Sequence, residues 1–171
     1  MKNLFITLLF GVSALVANAQ NGFKWEWTPK YFGEVHIGYN TSSKVGGIKT
    51  YSAAADVGTL QGVSINKYLQ AGIGIDGIML THYYKGQGLR WGLSAYSDFR
   101  FLYPVSDDFS PFLNLALGAA VSLKPKGDGA EFYCEFGPGL KYKKFNLSCG
   151  LMHIGKGEGT NHFFVKTGFY F

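Results

Sequence analysis

From Tyr31 onward, apolar residues alternate with polar or small ones at a period of two, and clusters rich in Gly, Asn, Asp and Lys interrupt the alternation at intervals. Successive side chains of a strand point to opposite faces, so this pattern predicts strands with one apolar face. Eight are predicted, over residues 31–40, 52–66, 68–80, 91–103, 111–123, 132–143, 145–153 and 162–171. No stretch of useful length carries a helical period, and no internal repeat or second domain is visible after the first thirty residues. The connections alternate in length. Asn66-Lys67-Tyr68, PVSDDFS and Lys143-Lys144 are short, whereas TSSKVGGIKT, THYYKGQGLR, KPKGDGAE and IGKGEGTN are longer and rich in Gly and Lys. An even strand count with short turns at one rim and long loops at the other is the layout of an outer-membrane barrel. The expected fold is all-β: an eight-stranded antiparallel up-and-down transmembrane β-barrel over residues 31–171.

A soluble lipid-carrying barrel has the same strand number, so the two faces must discriminate. One face includes Val35, Ile37, Tyr39, Leu69, Ile73, Ile75, Leu93, Phe99, Phe101, Leu113, Leu115, Leu117, Phe132, Phe136, Leu147, Leu151, Val165 and Phe169, with no charged residue among them. The other mixes Glu34, His36, Asp56, Asp76, Asp98, Arg100, Glu135, Lys141 and Lys166 with glycines such as Gly38, Gly58, Gly74, Gly118, Gly139 and Gly168. A water-facing surface would be crowded with Lys, Glu and Thr. Sparse charges among glycines suit a narrow interior that only side chains fill, and lipid requires the uncharged face outside. Aromatics at strand ends (Tyr31, Tyr39, Tyr103, Tyr142, Phe145, Phe171) fall where interfacial girdles belong.

Composition agrees. The chain is 17% aromatic and 16% charged, with 24 glycines and a net charge of only +5. No basic cluster interleaves with aromatics, so a nucleic-acid partner is not expected. Cys134 and Cys149 have no metal-type spacing, and neither a metal nor a cofactor is expected.

The opening MKNLFITLLFGVSALVANAQ has Lys2 ahead of an apolar run and an A-x-A pattern ending at Ala19. It reads as a secretory signal peptide over residues 1–19, cleaved between Ala19 and Gln20, and is shorter than the ~20 apolar residues of a spanning helix. Residues 20–30 are then an N-terminal periplasmic segment, in which Phe23, Trp25 and Trp27 serve as interfacial anchors or lengthen the first strand.

The stretches NKYLQAGIGIDG, SDFRFLYPVSDDFSPFLNLALGAAVSL, EFGPGLKYKKFNLSCG and FVKTGFYF resemble the OmpA-like family of small outer-membrane barrels, as a strand-and-turn pattern over residues 31–171. The resemblance implies insertion by the barrel assembly machinery, which in such proteins reads a last strand ending in an aromatic. Phe163, Val165, Thr167, Phe169 and Phe171 are the matching assembly signal here. The peptidoglycan-binding domain of full-length members is absent from the sequence, so no cell-wall tether is expected. Some eight-stranded barrels are hydrolases that remove acyl chains from lipid A, using His and Ser near the end of the seventh strand with an acidic partner. Met152-His153-Ile154-Gly155 places His153 suitably and has Glu158 in the next loop, but Gly155 stands at the nucleophile position. No enzymatic activity is expected.

The interior acids Glu34, Asp56, Asp76, Asp98 and Glu135 need partners in Arg100, Lys141, Lys166 and His36, and a hydrogen-bonded network filling the lumen is expected. Pairing of the last strand with the first suggests Lys166 near Glu34, and Asp98 shares a face with Arg100. A narrow channel for small solutes or ions through the barrel, including a proton or ion path along that network, is the alternative function; a wide aqueous pore is not expected at this strand number. GIGIDG fits a dinucleotide fingerprint only formally, since no helix follows it. Cys134 and Cys149 are expected as lipid-facing free thiols, about four residues apart along the ladder and so beyond disulfide reach. The rim histidines His82, His153 and His162 are expected to be solvated. Loop residues Lys44, Lys49, Lys85, Arg90, Lys124, Lys126 and Lys156 outnumber Asp128 and Glu158, which suits lipopolysaccharide phosphates. Taken together, the sequence predicts a monomeric, non-enzymatic barrel of the bacterial outer membrane, in contact with lipid and lipopolysaccharide.

Overall fold

The computed structural model describes residues 27–42, 52–82, 90–124, 129–155 and 160–171. The signal segment with Ala19 and Gln20, the candidate anchors Phe23 and Trp25, and Lys44, Lys49, Lys85, Lys126, Lys156, Asp128 and Glu158 lie outside the described residues, as do the side chains of His82, Arg90 and Lys124. Among the described residues no helix is long and apolar enough to cross a membrane, which says nothing about strands.

Eight strands follow in order: β1 (Lys30–Ser42), β2 (Ser52–Ser64), β3 (Leu69–His82), β4 (Arg90–Leu102), β5 (Phe109–Lys124), β6 (Ala130–Tyr142), β7 (Phe145–Ile154) and β8 (Thr160–Tyr170). Each pairs antiparallel with the next and β8 pairs with β1, so the sheet closes into a barrel without edges. The predicted strands are all present, and their ends shift where turn chemistry takes over. β2 stops at Ser64 because the Asn66 side chain accepts from the amides of Tyr68 (2.8 Å) and Leu69 (2.9 Å), forming an Asx turn. β5 starts two residues earlier than predicted, at Phe109, whose carbonyl accepts from Val105 and Ser106 while its own amide donates to Ser106 Oγ (3.1 Å). β6 ends at Tyr142 because Lys143 turns into the left-handed region, with φ 54°. The first strand begins at Lys30, and Thr28 donates to Ile65 (3.2 Å), which ties the residues just before β1 to the β2–β3 turn.

The two faces sort as the alternation predicts. Val35, Ile37, Ile73, Leu93, Leu147 and Leu151 project outward, with Ile73 68% exposed, and no Asp, Glu, Lys or Arg occupies an outward strand position among the described residues. The inward face is buried. It contains more than charges and glycines: Phe32, Leu60, Tyr96, Tyr133, Met152, Phe164 and Tyr170 form one packed interior cluster. Interior glycines make room for these rings. A Cβ on Gly74 would collide with the Tyr96 ring, and one on Gly139 with Phe112. The β6–β7 ladder skips Gly137 and Pro138, where Pro138 has no amide to donate and a Cβ on Gly137 would meet the Gly150 Cα at 2.7 Å.

Candidate functional site in the barrel interior

Every acid and base that the alternation assigns to the interior lies there. Glu34, His36, Asp56, Asp76, Asp98, Arg100, Glu135 and Lys166 are buried, and Lys141 is half-buried. Closure of the barrel arranges them in two linked groups.

The first group surrounds Arg100 on β4, toward the short-turn rim. Its Nη1 donates to Glu34 of β1 and to the Tyr170 hydroxyl of β8 (2.6 Å), Nη2 donates to Glu34 Oε1 (3.3 Å), and Nε donates to Asp98 Oδ1 (2.9 Å). One guanidinium thus holds two carboxylates, using its planar fork as a lysine could not. Tyr170 donates onward to Gln70 (3.3 Å), and Gln70 donates to Ser64 Oγ (2.7 Å). Lys141 Nζ lies 4.3 Å from the Tyr170 ring centroid.

The second group surrounds Lys166 on β8. Its ammonium donates to Glu135 Oε2 (2.6 Å) and Asp76 Oδ2 (3.2 Å), and Asp56 Oδ1 lies at 3.9 Å. Tyr133 donates to Glu135 (2.6 Å), Tyr96 donates to Asp76 (2.9 Å), Asn114 donates to Glu135 (3.2 Å), and Asn40 donates to Asp56 Oδ2 (2.6 Å). His36 joins the groups: its Nε2 is 2.9 Å from Asp76 Oδ1 and its Nδ1 is 3.6 Å from Glu34 Oε1.

The expected proximity of Lys166 to Glu34 is corrected by the register. Lys166 stands opposite Gly38, four positions along β1, while Tyr170 stands opposite Glu34, so Glu34 pairs with Arg100 instead. The hydroxyl and amide members of the network, Tyr96, Tyr133, Tyr170, Asn40, Asn114 and Gln70, went unassigned in the sequence reading. They share the parity of the charged residues, and that parity was the available signal.

The remaining candidates lie elsewhere. Cys134 and Cys149 are free, and their register partners are His153 and Val165 respectively. His153 lies on the outward face, where its Nδ1 meets Asn161 Oδ1 at 2.8 Å and its ring packs against Phe132. His162 is buried on the inward face, so it is not a solvated rim residue. Gly155 has φ 134° and donates to the Phe132 carbonyl (3.0 Å). Phe163, Val165, Thr167 and Phe169 of β8, and Phe171 just after it, all project outward in one row.

No protein-family model matches the chain, and no curated protein matches it. Solved structures do. The crystal structure of the outer membrane enzyme PagL is 13% identical with a TM-score of 0.54, covering 81% of this chain and 98% of its own. The crystal structure of Neisserial surface protein A (NspA) is 12% identical with a TM-score of 0.55, covering 84% of this chain and 99% of its own. At these identities the likeness is one of fold, and the fold is the eight-stranded closed barrel of small outer-membrane proteins.

Proposed function

We propose that this chain is an integral protein of the bacterial outer membrane with a structural or surface-interaction role, without catalysis, and closed to bulk solutes. One observation carries the reading. The outward strand positions hold no charge among the described residues, while five carboxylates, Arg100 and Lys166 are turned inward among packed rings. Water would reward the reverse arrangement. Lipid requires this one, because a midplane Lys or Arg costs ~2–4 kcal/mol and only a closed barrel satisfies every strand amide. The fold shared with outer-membrane barrels supports it. In this reading the signal segment exports the chain, the assembly machinery reads the β8 row ending at Phe171, and the monomer meets lipopolysaccharide phosphates through the basic loops.

Gel mobility of the protein from separated membrane fractions, with and without boiling, tests this. A boiling-dependent shift confined to the outer-membrane fraction is expected; an unshifted protein in the soluble periplasmic fraction overturns it. The absence of catalysis is tested by the lipid A mass spectrum of overexpressing cells, which is expected to stay unchanged.

A second reading is a narrow channel for small solutes or ions, protons included. It is favoured by the line of polar groups from Gln70 through Tyr170, Arg100, Glu34, His36 and Asp76 to Lys166, Asp56 and Asn40, whose widest steps are 3.6 Å from Glu34 to His36 and 3.9 Å from Lys166 to Asp56. Conductance of the reconstituted barrel decides between them: a silent bilayer retains the closed barrel, and unitary currents select the channel.

A further inference from the structure

The interior charges do not balance. Five buried carboxylates face Arg100, Lys166 and the half-buried Lys141, which leaves two negative charges over when the His36 imidazole between Glu34 and Asp76 is neutral, as a metal ligand must be. The imbalance is local. Near the short-turn rim, Glu34 and Asp98 are matched by Arg100 and Lys141. Around Lys166, three carboxylates (Asp56, Asp76 and Glu135) share one ammonium. Uncompensated charge in an interior of low polarity is costly, so this group should take up about two positive charges.

The same group contains a donor set. Ligand atoms of His36, Asp56 and Asp76, all buried, lie within 4.8 Å of one another. Asp56 Oδ1 and Asn40 Oδ1 have no hydrogen-bond partner, and Asn40 is fully buried with its amide nitrogen 2.6 Å from Asp56 Oδ2. Two unmatched buried oxygens, one a carboxylate's and one a neighbouring amide's, call for a donor or a cation. Gly58 and Gly38 let these side chains draw together: a Cβ on Gly58 would lie 2.7 Å from His36 Nε2, and one on Gly38 would lie 2.6 Å from Asp56 Oδ2.

We propose that the interior binds one divalent cation between β1, β2 and β3, held by His36, Asp56 and Asp76 with the Asn40 amide oxygen beside them. A 2+ ion neutralises the group: three carboxylates against Lys166 and the metal. One imidazole with oxygen donors suits a borderline ion such as Zn²⁺ rather than Mg²⁺. Donors at about 2.0–2.2 Å from zinc stand roughly 3–3.6 Å apart, which requires side-chain closure of about 1 Å from the arrangement seen. Glu34, 3.6 Å from His36 Nδ1, is placed to orient the imidazole. Lys166 stays on Glu135.

The proposal rests on the closed barrel and not on its conductance or cellular role. The test is equilibrium dialysis of the full-length folded protein in detergent against Zn²⁺ with excess Mg²⁺, folding being checked on the same sample by the boiling-dependent mobility shift. One Zn²⁺ per barrel is expected, weakened at least about tenfold in folded Asp56→Asn and His36→Gln and unchanged in His153→Gln. No binding by a folded barrel overturns the proposal, as does binding that His153→Gln abolishes. X-ray absorption on the wild-type zinc complex is independent of any variant's folding. Nitrogen and oxygen ligation with a single imidazole is expected, and sulfur ligation would move the metal to a cysteine and overturn the assignment.

Discussion

Phe171 and Gly33 close the barrel: the Phe171 amide donates to the Gly33 carbonyl (2.9 Å), the Gly33 amide donates back (3.4 Å), and the Phe171 ring covers the space where a Gly33 side chain would stand. Phe171 is therefore part of the seam between β8 and β1 and is 58% exposed. Replacing the ring should affect both assembly and stability. Phe171→Ala is expected to lower the fraction reaching the heat-resistant form in cells and to cost roughly 1–2 kcal/mol, part of the value of a buried Phe. Urea unfolding of the refolded barrel, followed by gel mobility, measures the second effect apart from the first. A variant that inserts normally would remove the assembly-signal role and leave only the seam.

The ring of Tyr96 lies over Gly74 and sends its hydroxyl to Asp76. Gly74→Ala is expected to push the ring aside and destabilise the barrel by about 1–3 kcal/mol, as overpacking does. In a Tyr96→Ala background the same substitution should cost much less, since the atoms it meets are gone. Equal costs in the two backgrounds would show that the glycine is needed for the backbone and not for the ring.

The strand count, the closure and the facing of each charged residue were legible because a period of two is simple and lipid leaves its outer face no exceptions. Partner choice was not. Whether Glu34 meets Lys166 or Arg100 depends on how far β8 is staggered along β1, and the alternation constrains that stagger only to even steps. The aromatic fill was hidden for a different reason. Tyr96, Tyr133 and Tyr170 share the parity of the charged residues, but whether a narrow lumen has room for a ring depends on the glycines that face it across neighbouring strands, as Gly74 faces Tyr96, and that pairing needs the register. The metal donor set combines three strands, and no spacing in the sequence encodes it.

At the β6–β7 turn, Lys143 is the only non-glycine with positive φ among the described residues. A residue with a Cβ pays for that conformation, and glycine does not. Lys143→Gly is expected to stabilise the barrel by about 0.5–1 kcal/mol. The exposed contact of Lys143 with Asp108 at 3.8 Å is too weak to offset the gain. A higher urea midpoint with an unchanged slope is the expected reading; a lower one would assign real weight to that surface pair.

Arg100 is the only described cation that reaches both Glu34 and Asp98, so its loss strands two buried carboxylates at once. Arg100→Gln is expected to cost about 3–5 kcal/mol, the range for breaking a buried pair. Neutralising the acids in the same chain, as Glu34→Gln with Asp98→Asn, should return most of that loss, because the penalty belongs to the uncompensated charge and not to the missing contact. The triple variant also separates the two groups of the interior. Since Lys166, Asp76 and Asp56 keep their own partners, Zn²⁺ binding should survive in it, reduced only by the loss of Glu34 behind His36. Recovery of stability without recovery of the single variant's boiling-dependent shift would mean that Arg100 acts in assembly as well as in the folded barrel.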